Sequence, residues 1–133
     1  MKKHIASLDP FPRTLKLIFS KYKFKTLTSN YNLIYAPKKN KKNFYDKNIQ
    51  NASFIIGQPD LSKDLLIKAK KLKAVINVES NFMNNMDYQY CFKKGIHVIA
   101  TSPVFSKPVA EICLLYTSPS PRDEALSRMP SSA

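Results

Sequence analysis

The sequence is poor in glycine and in histidine. Only two glycines, Gly57 and Gly95, occur among its 133 residues, so no glycine-rich turn is present to cradle a nucleotide phosphate. The two histidines, His4 and His97, stand apart from any cysteine or acidic cluster, which leaves no recognisable set of metal ligands. We therefore expect neither a nucleotide site nor a metal site within this chain.

Long apolar runs are also missing. No segment approaches the roughly 20 apolar residues that a membrane-spanning helix requires, and Met1-Lys2-Lys3 is not followed by the apolar part of a secretory signal. Of the two cysteines, Cys91 lies within a helical pattern, where a thiol usually serves as a small buried apolar group. We expect a cytoplasmic protein without a membrane partner.

Acidic residues are scarce. The chain has nine of them and 22 lysines and arginines, so its net charge is +13. The densest basic segment, residues 38–42, reads KKNKK and is the candidate for contact with nucleic acid, because lysines release counterions from phosphates. Nearly all the cations are lysines, however, and no recognition motif accompanies them. A solvated lysine surface without a specific nucleic-acid partner is the preferred interpretation; a lysine-rich nucleic-acid-binding protein stays as an alternative.

Short apolar segments alternate with helical patterns along the chain. Strands are predicted at residues 5–8, 32–36, 53–56, 74–78 and 96–100. Helices are predicted at residues 14–22, 43–50, 61–71 and 87–94, and another begins at Pro108. Alternation at these lengths favours an α/β fold with a parallel sheet and right-handed crossovers. Such sheets bind ligands beyond the carboxyl ends of their strands, which directs attention to the loops at residues 57–59, 79–83 and 101–103.

Residues 72–111 carry the most specific pattern. A buried strand, a polar loop, a short helix closed by Gly95 and a second strand lead through Thr101-Ser102-Pro103 to a helix that begins Pro108-Val109-Ala110-Glu111. This order resembles the end of the substrate domain of D-isomer-specific 2-hydroxyacid dehydrogenases. The resemblance implies an incomplete α/β domain with a flavodoxin-like parallel sheet and flanking helices. It also implies a parent homodimer that transfers hydride between NAD or NADP and a small 2-hydroxy or 2-oxo acid.

The resemblance assigns substrate binding to Ser80, Asn81 and Phe82, whose backbone amides match those that hold the substrate carboxylate in the family. Consecutive backbone N–H groups make an anion-binding nest. Many relatives are glycine-rich in this loop, whereas this chain has Glu79 and these three residues, which leaves the substrate open. In the alternative interpretation, Ser80 and Asn81 only form a turn and Phe82 packs.

Some other features of the family match residues of this chain, and the rest would lie beyond residue 112. Thr101 matches a loop that faces the cofactor cleft, and Asp87 is interpreted as a structural residue at a helix N-terminus. The family's catalytic Arg, Glu and His, and its GxGxxG fingerprint, would lie beyond residue 112. We therefore expect no catalytic residue in this chain, no bound cofactor and no activity of its own.

Residues 113–133 differ in kind from the rest. Every lysine and asparagine lies before Ile112, and the segment CLLYTSPSPRDEALSRMPSSA resembles a translated transposase-based sequencing adapter. We predict a partial substrate domain at residues 1–112 and an adapter-derived, disordered tail at 113–133. A genuine Ser/Pro-rich terminus is the alternative for the tail. A stand-alone flavodoxin-like binding or regulatory module is the alternative for the domain, although no acidic cluster or phosphate loop supports it.

Overall fold

The computed structural model describes residues 3–79 and 81–117 of the chain, with side chains as far as residue 114. The chain divides after Thr101 into a first unit, which carries a β-sheet, and a second unit, which carries the last helix. The predicted contact residue Ser80 and residues 118–133 of the predicted tail lie outside the described residues.

The first unit is built on a parallel sheet. The described part of the chain contains five strands: β1 Ile5–Asp9, β2 Asn32–Tyr35, β3 Ala52–Gly57, β4 Ala74–Ile76 and β5 His97–Ile99. Their order is β2-β1-β3-β4-β5, and every neighbouring pair runs parallel. This is the flavodoxin-like order, whose direction of winding reverses between β1 and β3. The predicted α/β fold class is confirmed.

Helices connect the strands. The described residues form α1 Leu15–Ile18, α2 Lys21–Asn30, α3 Lys41–Asn48, α4 Lys63–Lys68, α5 Tyr88–Lys93 and α6 Ser102–Thr117. Within these residues no helix is both long and apolar enough to cross a membrane.

The prediction of one helix at residues 14–22 was wrong. The chain breaks at Ser20, which is extended and accepts a hydrogen bond from the backbone of Lys23 at 3.4 Å, and α2 then continues as far as Asn30. The sequence pattern did not predict the second half of α2, because Thr26 and Thr28 have low helix propensity. Their hydroxyls donate to backbone carbonyls of the helix instead of competing with it.

The start of α6 was also predicted wrongly. The helix begins at Ser102 and contains Pro108 in its interior, whereas the sequence placed its start at Pro108. Proline removes a backbone donor and is common at the first position of a helix, which explains the error. The helix runs as far as Thr117 and so includes the first residues of the segment predicted to be disordered.

The main core lies between one sheet face and helices α3, α4 and α5. Ile55 and Val75 contribute from the strands, and Tyr45, Leu66 and Cys91 from the helices; all are buried. Burial raises the pKa of the Cys91 thiol, in agreement with its predicted role as an apolar group.

Helix α5 has the ends that the sequence predicted. Asp87 is its N-cap and accepts a hydrogen bond from the backbone N–H of Tyr90 at 2.9 Å. Gly95, with φ of +69°, follows the helix in the left-handed conformation. These two residues fix where the loop before α5 ends and where β5 begins.

Candidate functional site

A cleft of about 630 Å³ opens at the carboxyl ends of β1, β3 and β4. It is lined by Phe11, Pro12, Lys41, Gln58, Asp60, Glu79, Asn81 and Met83. Its position coincides with the reversal of strand order between β1 and β3, where open α/β sheets bind their ligands. The volume suits a small organic molecule.

Strands β1 and β3 approach closely at their carboxyl ends, near the cleft. Gly57, the last residue of β3, pairs with Asp9 and has φ of +148°. A Cβ atom at this position would lie 2.1 Å from the carbonyl oxygen of Asp9, so only glycine fits. The close approach therefore depends on the absence of a side chain at position 57.

Asp9 holds a buried ion pair next to the cleft. Its carboxylate is almost fully buried and lies 2.7 Å from the Nζ atom of Lys41, while the Tyr45 hydroxyl donates to its other oxygen at 3.4 Å. The Lys41 ammonium also lies 5.2 Å from the centre of the Phe11 ring, a cation–π distance. The prediction that residues 38–42 form a solvated lysine surface was wrong for Lys41, because it reaches back to a carboxylate that is distant in sequence.

Tyr45 gives this buried group a measurable pH dependence. Burial, and then the charge of Asp9, raise the pKa of the Tyr45 phenol. The unfolded chain releases this proton near pH 10 but the folded chain does not, so the free energy of unfolding is expected to fall as the pH rises above about 10. The Tyr45→Phe variant lacks this contribution and should show a flatter alkaline decline in urea midpoint. The exposed variant Tyr22→Phe is the control, and a Tyr45→Phe profile parallel to that of Tyr22→Phe would contradict the expectation.

A second ion pair joins the loops that follow β1 and β4. The Nε and Nη2 atoms of Arg13 donate to the two carboxylate oxygens of Glu79 at 2.9 and 3.2 Å. Hydrogen bonding to Arg13 lowers the pKa of Glu79 and reciprocally raises the pKa of Arg13, so both groups are charged at neutral pH. Two-point geometry of this kind fixes orientation as well as distance. The pair therefore holds the start of the loop at residues 79–83.

The rest of this loop is held without glycine. The Tyr88 hydroxyl lies 2.5 Å from the carbonyl oxygen of Met83 and 2.9 Å from Oδ1 of Asn85. The Asn85 amide donates to the carbonyl oxygen of Pro59 at 2.9 Å, which connects the loop to the one after β3. The Phe82 ring packs edge-to-face on Tyr88 at 5.3 Å between centroids. Side-chain contacts thus hold the described residues of this loop, which contains no glycine.

The structure brings two of the three predicted loops together. Gln58 and Asn81 both line the cleft, from the loops after β3 and β4. Phe82 is exposed and packs on Tyr88, and it is not among the described lining residues. Thr101 follows β5 at the end of the first unit, also outside that lining. The binding roles of Ser80, Asn81, Phe82 and Thr101 stay predictions.

The sequence did not identify Arg13 or Lys41 as residues of the site. Arg13 lies in the loop after β1, and the rule that ligands bind beyond strand ends would have found it if applied to the first strand. Lys41 gave no such signal, because it is one of several lysines in a basic run. Gln58 has a further property that only the structure shows: both polar atoms of its amide are shielded from solvent and lack a hydrogen-bond partner.

The described residues do not offer a site for a metal or a dinucleotide. Across residues 3–79 and 81–117 no three His, Cys, Asp or Glu side chains are close enough to hold a metal ion. Both glycines have structural positions, Gly57 against Asp9 and Gly95 at the end of α5, so neither belongs to a phosphate-binding turn. A dinucleotide does not fit the residues present.

The chain matches the profile of one known protein family. The profile of the D-isomer specific 2-hydroxyacid dehydrogenase catalytic domain matches residues 16–131. The chain belongs to this dehydrogenase family. The match covers the sheet strands β2 to β5 and both loops that line the cleft from β3 and β4. The chain is thus a 2-hydroxyacid dehydrogenase-type oxidoreductase domain.

Two solved structures are similar to the chain. A phosphoglycerate oxidoreductase from Rhizobium etli is 42% identical, with a TM-score of 0.74 over 86% of this chain and 35% of its own. A 2-hydroxyacid dehydrogenase from Ketogulonicigenium vulgare is 16% identical, with a TM-score of 0.57 over 96% of this chain and 39% of its own, and shares the fold. None of the curated proteins matches. The dehydrogenase chain described here therefore spans about a third of the length of these relatives.

Proposed function

We propose that this domain binds the substrate of an NAD- or NADP-dependent D-2-hydroxyacid dehydrogenase. In the reaction, hydride passes between the nicotinamide and the carbonyl carbon of a 2-oxo acid, and a proton passes to the carbonyl oxygen. The observation that carries the proposal is the coincidence of a family match with a cleft at the strand-order reversal of the sheet. The loops that line this cleft are those in which the family resemblance places substrate contacts.

The carboxylate of the substrate is proposed to lie on the backbone amides of Asn81 and Phe82, and of Ser80 between Glu79 and Asn81. Asn81 lines the cleft, which supports this assignment. The Arg13–Glu79 pair and the hydrogen bond from Tyr88 to Met83 hold the two ends of the loop at residues 79–83, which supports binding by fixed donors. Fixed donors bind an anion without the entropy cost of ordering a flexible loop.

The cofactor and the catalytic side chains are proposed to come from the rest of the parent enzyme. The described residues offer no dinucleotide cradle, and the chain matches only 35% and 39% of the length of the two relatives. The chain of 133 residues is accordingly proposed to be inactive alone. A homodimeric, cytoplasmic parent that acts on a small acid, with Thr101 near the cofactor, completes the proposal.

The first test is to determine the genomic sequence downstream of codon 112 and to express the full-length protein. We expect oxidation of NADH or NADPH with glyoxylate, pyruvate or hydroxypyruvate as acceptor, followed at the absorbance of the reduced nicotinamide. The 133-residue chain serves as the inactive control. A genome that encodes residues 113–133 followed by a stop codon, or a full-length protein that reduces no 2-oxo acid, would contradict the proposal.

Asn81 offers a sharper test, because the proposal assigns binding to its backbone and not to its side chain. Asn81→Pro removes the N–H and is expected to raise KM about tenfold or more, the effect of losing a hydrogen bond to a charged group. Asn81→Ala keeps the N–H and is the matched control, with KM close to that of the wild type. Equal effects of the two substitutions on KM in the full-length enzyme would show that the side chain, or neither group, binds the substrate.

A further inference from the structure

One cationic side chain lines the cleft, and a second one pairs with a carboxylate that lines it, so both are already paired with carboxylates of the protein. Lys41 lines the cleft and lies 2.7 Å from Asp9. Arg13 stands behind Glu79 and donates to both of its carboxylate oxygens. Asp60 lines the same cleft and adds a further negative charge. Two cations thus face three carboxylates in and around the cleft.

This balance of charge is unfavourable for a ligand with a second anionic group. A substrate carboxylate can be held by backbone amides, as proposed above, but a phosphate at the other end of the molecule needs a side-chain cation. Placing that phosphate beside Glu79 would bring two like charges together, which is unfavourable. A hydroxyl or another neutral group meets no such repulsion.

We propose that Glu79 makes the cleft selective for a 2-oxo or 2-hydroxy acid whose remaining part is uncharged, because it keeps Arg13 from binding a second anionic group. The inference rests on the proposed function and names the substrate class of the same site. Glu79 acts through Arg13 and is a specificity-determining residue. Arg13 is the one arginine before residue 112, so its release would supply a phosphate ligand that the cleft otherwise lacks.

The competition favours Glu79 over a free anion for a geometric reason. Its carboxylate is tethered next to the guanidinium, at 2.9 and 3.2 Å, and therefore acts at an effective concentration far above that of a metabolite. A phosphate must either displace it or bind beside it. The first route loses the two hydrogen bonds of the pair, and the second places two anions side by side.

Gln58 supports a neutral polar group on the ligand. It lines the cleft, and its amide nitrogen and oxygen both lack a hydrogen-bond partner although they are shielded from solvent. A buried amide without partners is costly. A ligand hydroxyl, which both donates and accepts, would satisfy either atom.

The deciding experiment uses the 133-residue chain and inorganic phosphate. In the 15N-labelled protein, the Nε–H resonance of Arg13 reports phosphate binding directly. We expect weak binding by the wild type and a dissociation constant about tenfold lower for Glu79→Gln, which corresponds to about 1.4 kcal/mol. Asp60→Asn removes a carboxylate of the same cleft without releasing Arg13 and is the matched control, with a change of less than about threefold.

Two further variants make the result unambiguous. The double variant Arg13→Gln/Glu79→Gln should lose the gain in phosphate affinity, and Glu79→Ala should reproduce it if Glu79→Gln does not fold. Equal phosphate affinity of wild type and Glu79→Gln, or an equal gain with Asp60→Asn, would overturn the inference.

Kinetics of the full-length enzyme separate this inference from the proposed function. Hydroxypyruvate is the uncharged-tail probe and 3-phosphohydroxypyruvate is its phosphorylated counterpart. We expect the ratio of kcat/KM to favour hydroxypyruvate in the wild type and to shift about tenfold toward the phosphorylated acid in Glu79→Gln. A wild type that prefers the phosphorylated acid would refute the inference. Failure to reduce either acid would count against the proposed function, while the phosphate titration would still decide the role of Glu79.

Discussion

Gly57→Ala is expected to lower the free energy of unfolding by more than about 3 kcal/mol, the largest effect of any single methyl group in this chain. The added Cβ would lie 2.1 Å from the carbonyl oxygen of Asp9, and both atoms belong to strands of the central sheet. Relief requires β1 and β3 to separate at their carboxyl ends, near the cleft. The positive φ of +148° adds strain for any residue with a side chain.

Gly95→Ala is the control for Gly57→Ala. Gly95 also has a positive φ, +69°, but a Cβ there would meet no atom within 4 Å. The substitution should cost only the left-handed strain of about 1–2 kcal/mol. Urea denaturation of both variants, followed by circular dichroism, separates steric conflict from backbone strain. Equal losses for the two variants would show that the contact with Asp9 relaxes freely.

Lys41→Met is expected to cost about 3 kcal/mol or more of the free energy of unfolding, because it leaves the buried Asp9 carboxylate without its cation. The methionine keeps the apolar stem, so the loss reports the charge and its hydrogen bond. Tyr45 would still donate to Asp9, but at 3.4 Å a neutral phenol compensates poorly for a missing ammonium. Thermal and urea unfolding at neutral pH measure the loss.

Lys68→Met is the control for Lys41→Met. Lys68 pairs with Asp46 at 2.9 Å, a distance similar to that of the Lys41 pair, but both side chains are exposed to solvent. Pairs of this kind contribute roughly 0–1 kcal/mol. A similar loss for the two variants would mean that water reaches Asp9 after the substitution and that the Asp9 site is not a closed one.

Both substitutions act on the same place, the carboxyl end of β1. There the sheet places Asp9 against Gly57, and Lys41 of α3 pairs with Asp9 while it lines the cleft together with Phe11. The stability of this corner and the geometry of the cleft are therefore coupled. Variants that destabilise this corner are expected to disturb ligand binding as well. The tests of substrate specificity therefore substitute Glu79 and Asp60, not Gly57 or Lys41.

Much of the fold could be predicted because its signals are local. The apolar runs at residues 53–56 and 74–78 and the helical pattern at 61–71 need only neighbouring residues to be recognised, and the structure has β3, β4 and α4 within them or nearly so. The second half of helix α2 escaped prediction because its threonines disfavour a helix locally. Helix α6 escaped because a proline normally signals a start and not an interior.

The candidate site was only partly accessible to prediction. Loops after strands could be named from the alternation of elements, and the family pattern selected Ser80, Asn81 and Phe82 among their residues. The ion pairs could not be predicted, because Arg13 and Glu79 are 66 positions apart and Lys41 and Asp9 are 32 apart. The sequence around a charged residue does not indicate which oppositely charged residue it will pair with in the fold.

The sequence by itself determined the class of fold, the edge of the sheet at which a ligand is proposed to bind and the dehydrogenase family, since periodicity, strand ends and short motifs are all local properties of the chain. The tertiary structure alone decided which cations are free to bind a ligand. It paired Lys41 with Asp9 and Arg13 with Glu79, and it left the Gln58 amide without a partner. Those outcomes depend on the distances between atoms of different strands and helices, which are fixed only when the sheet is assembled.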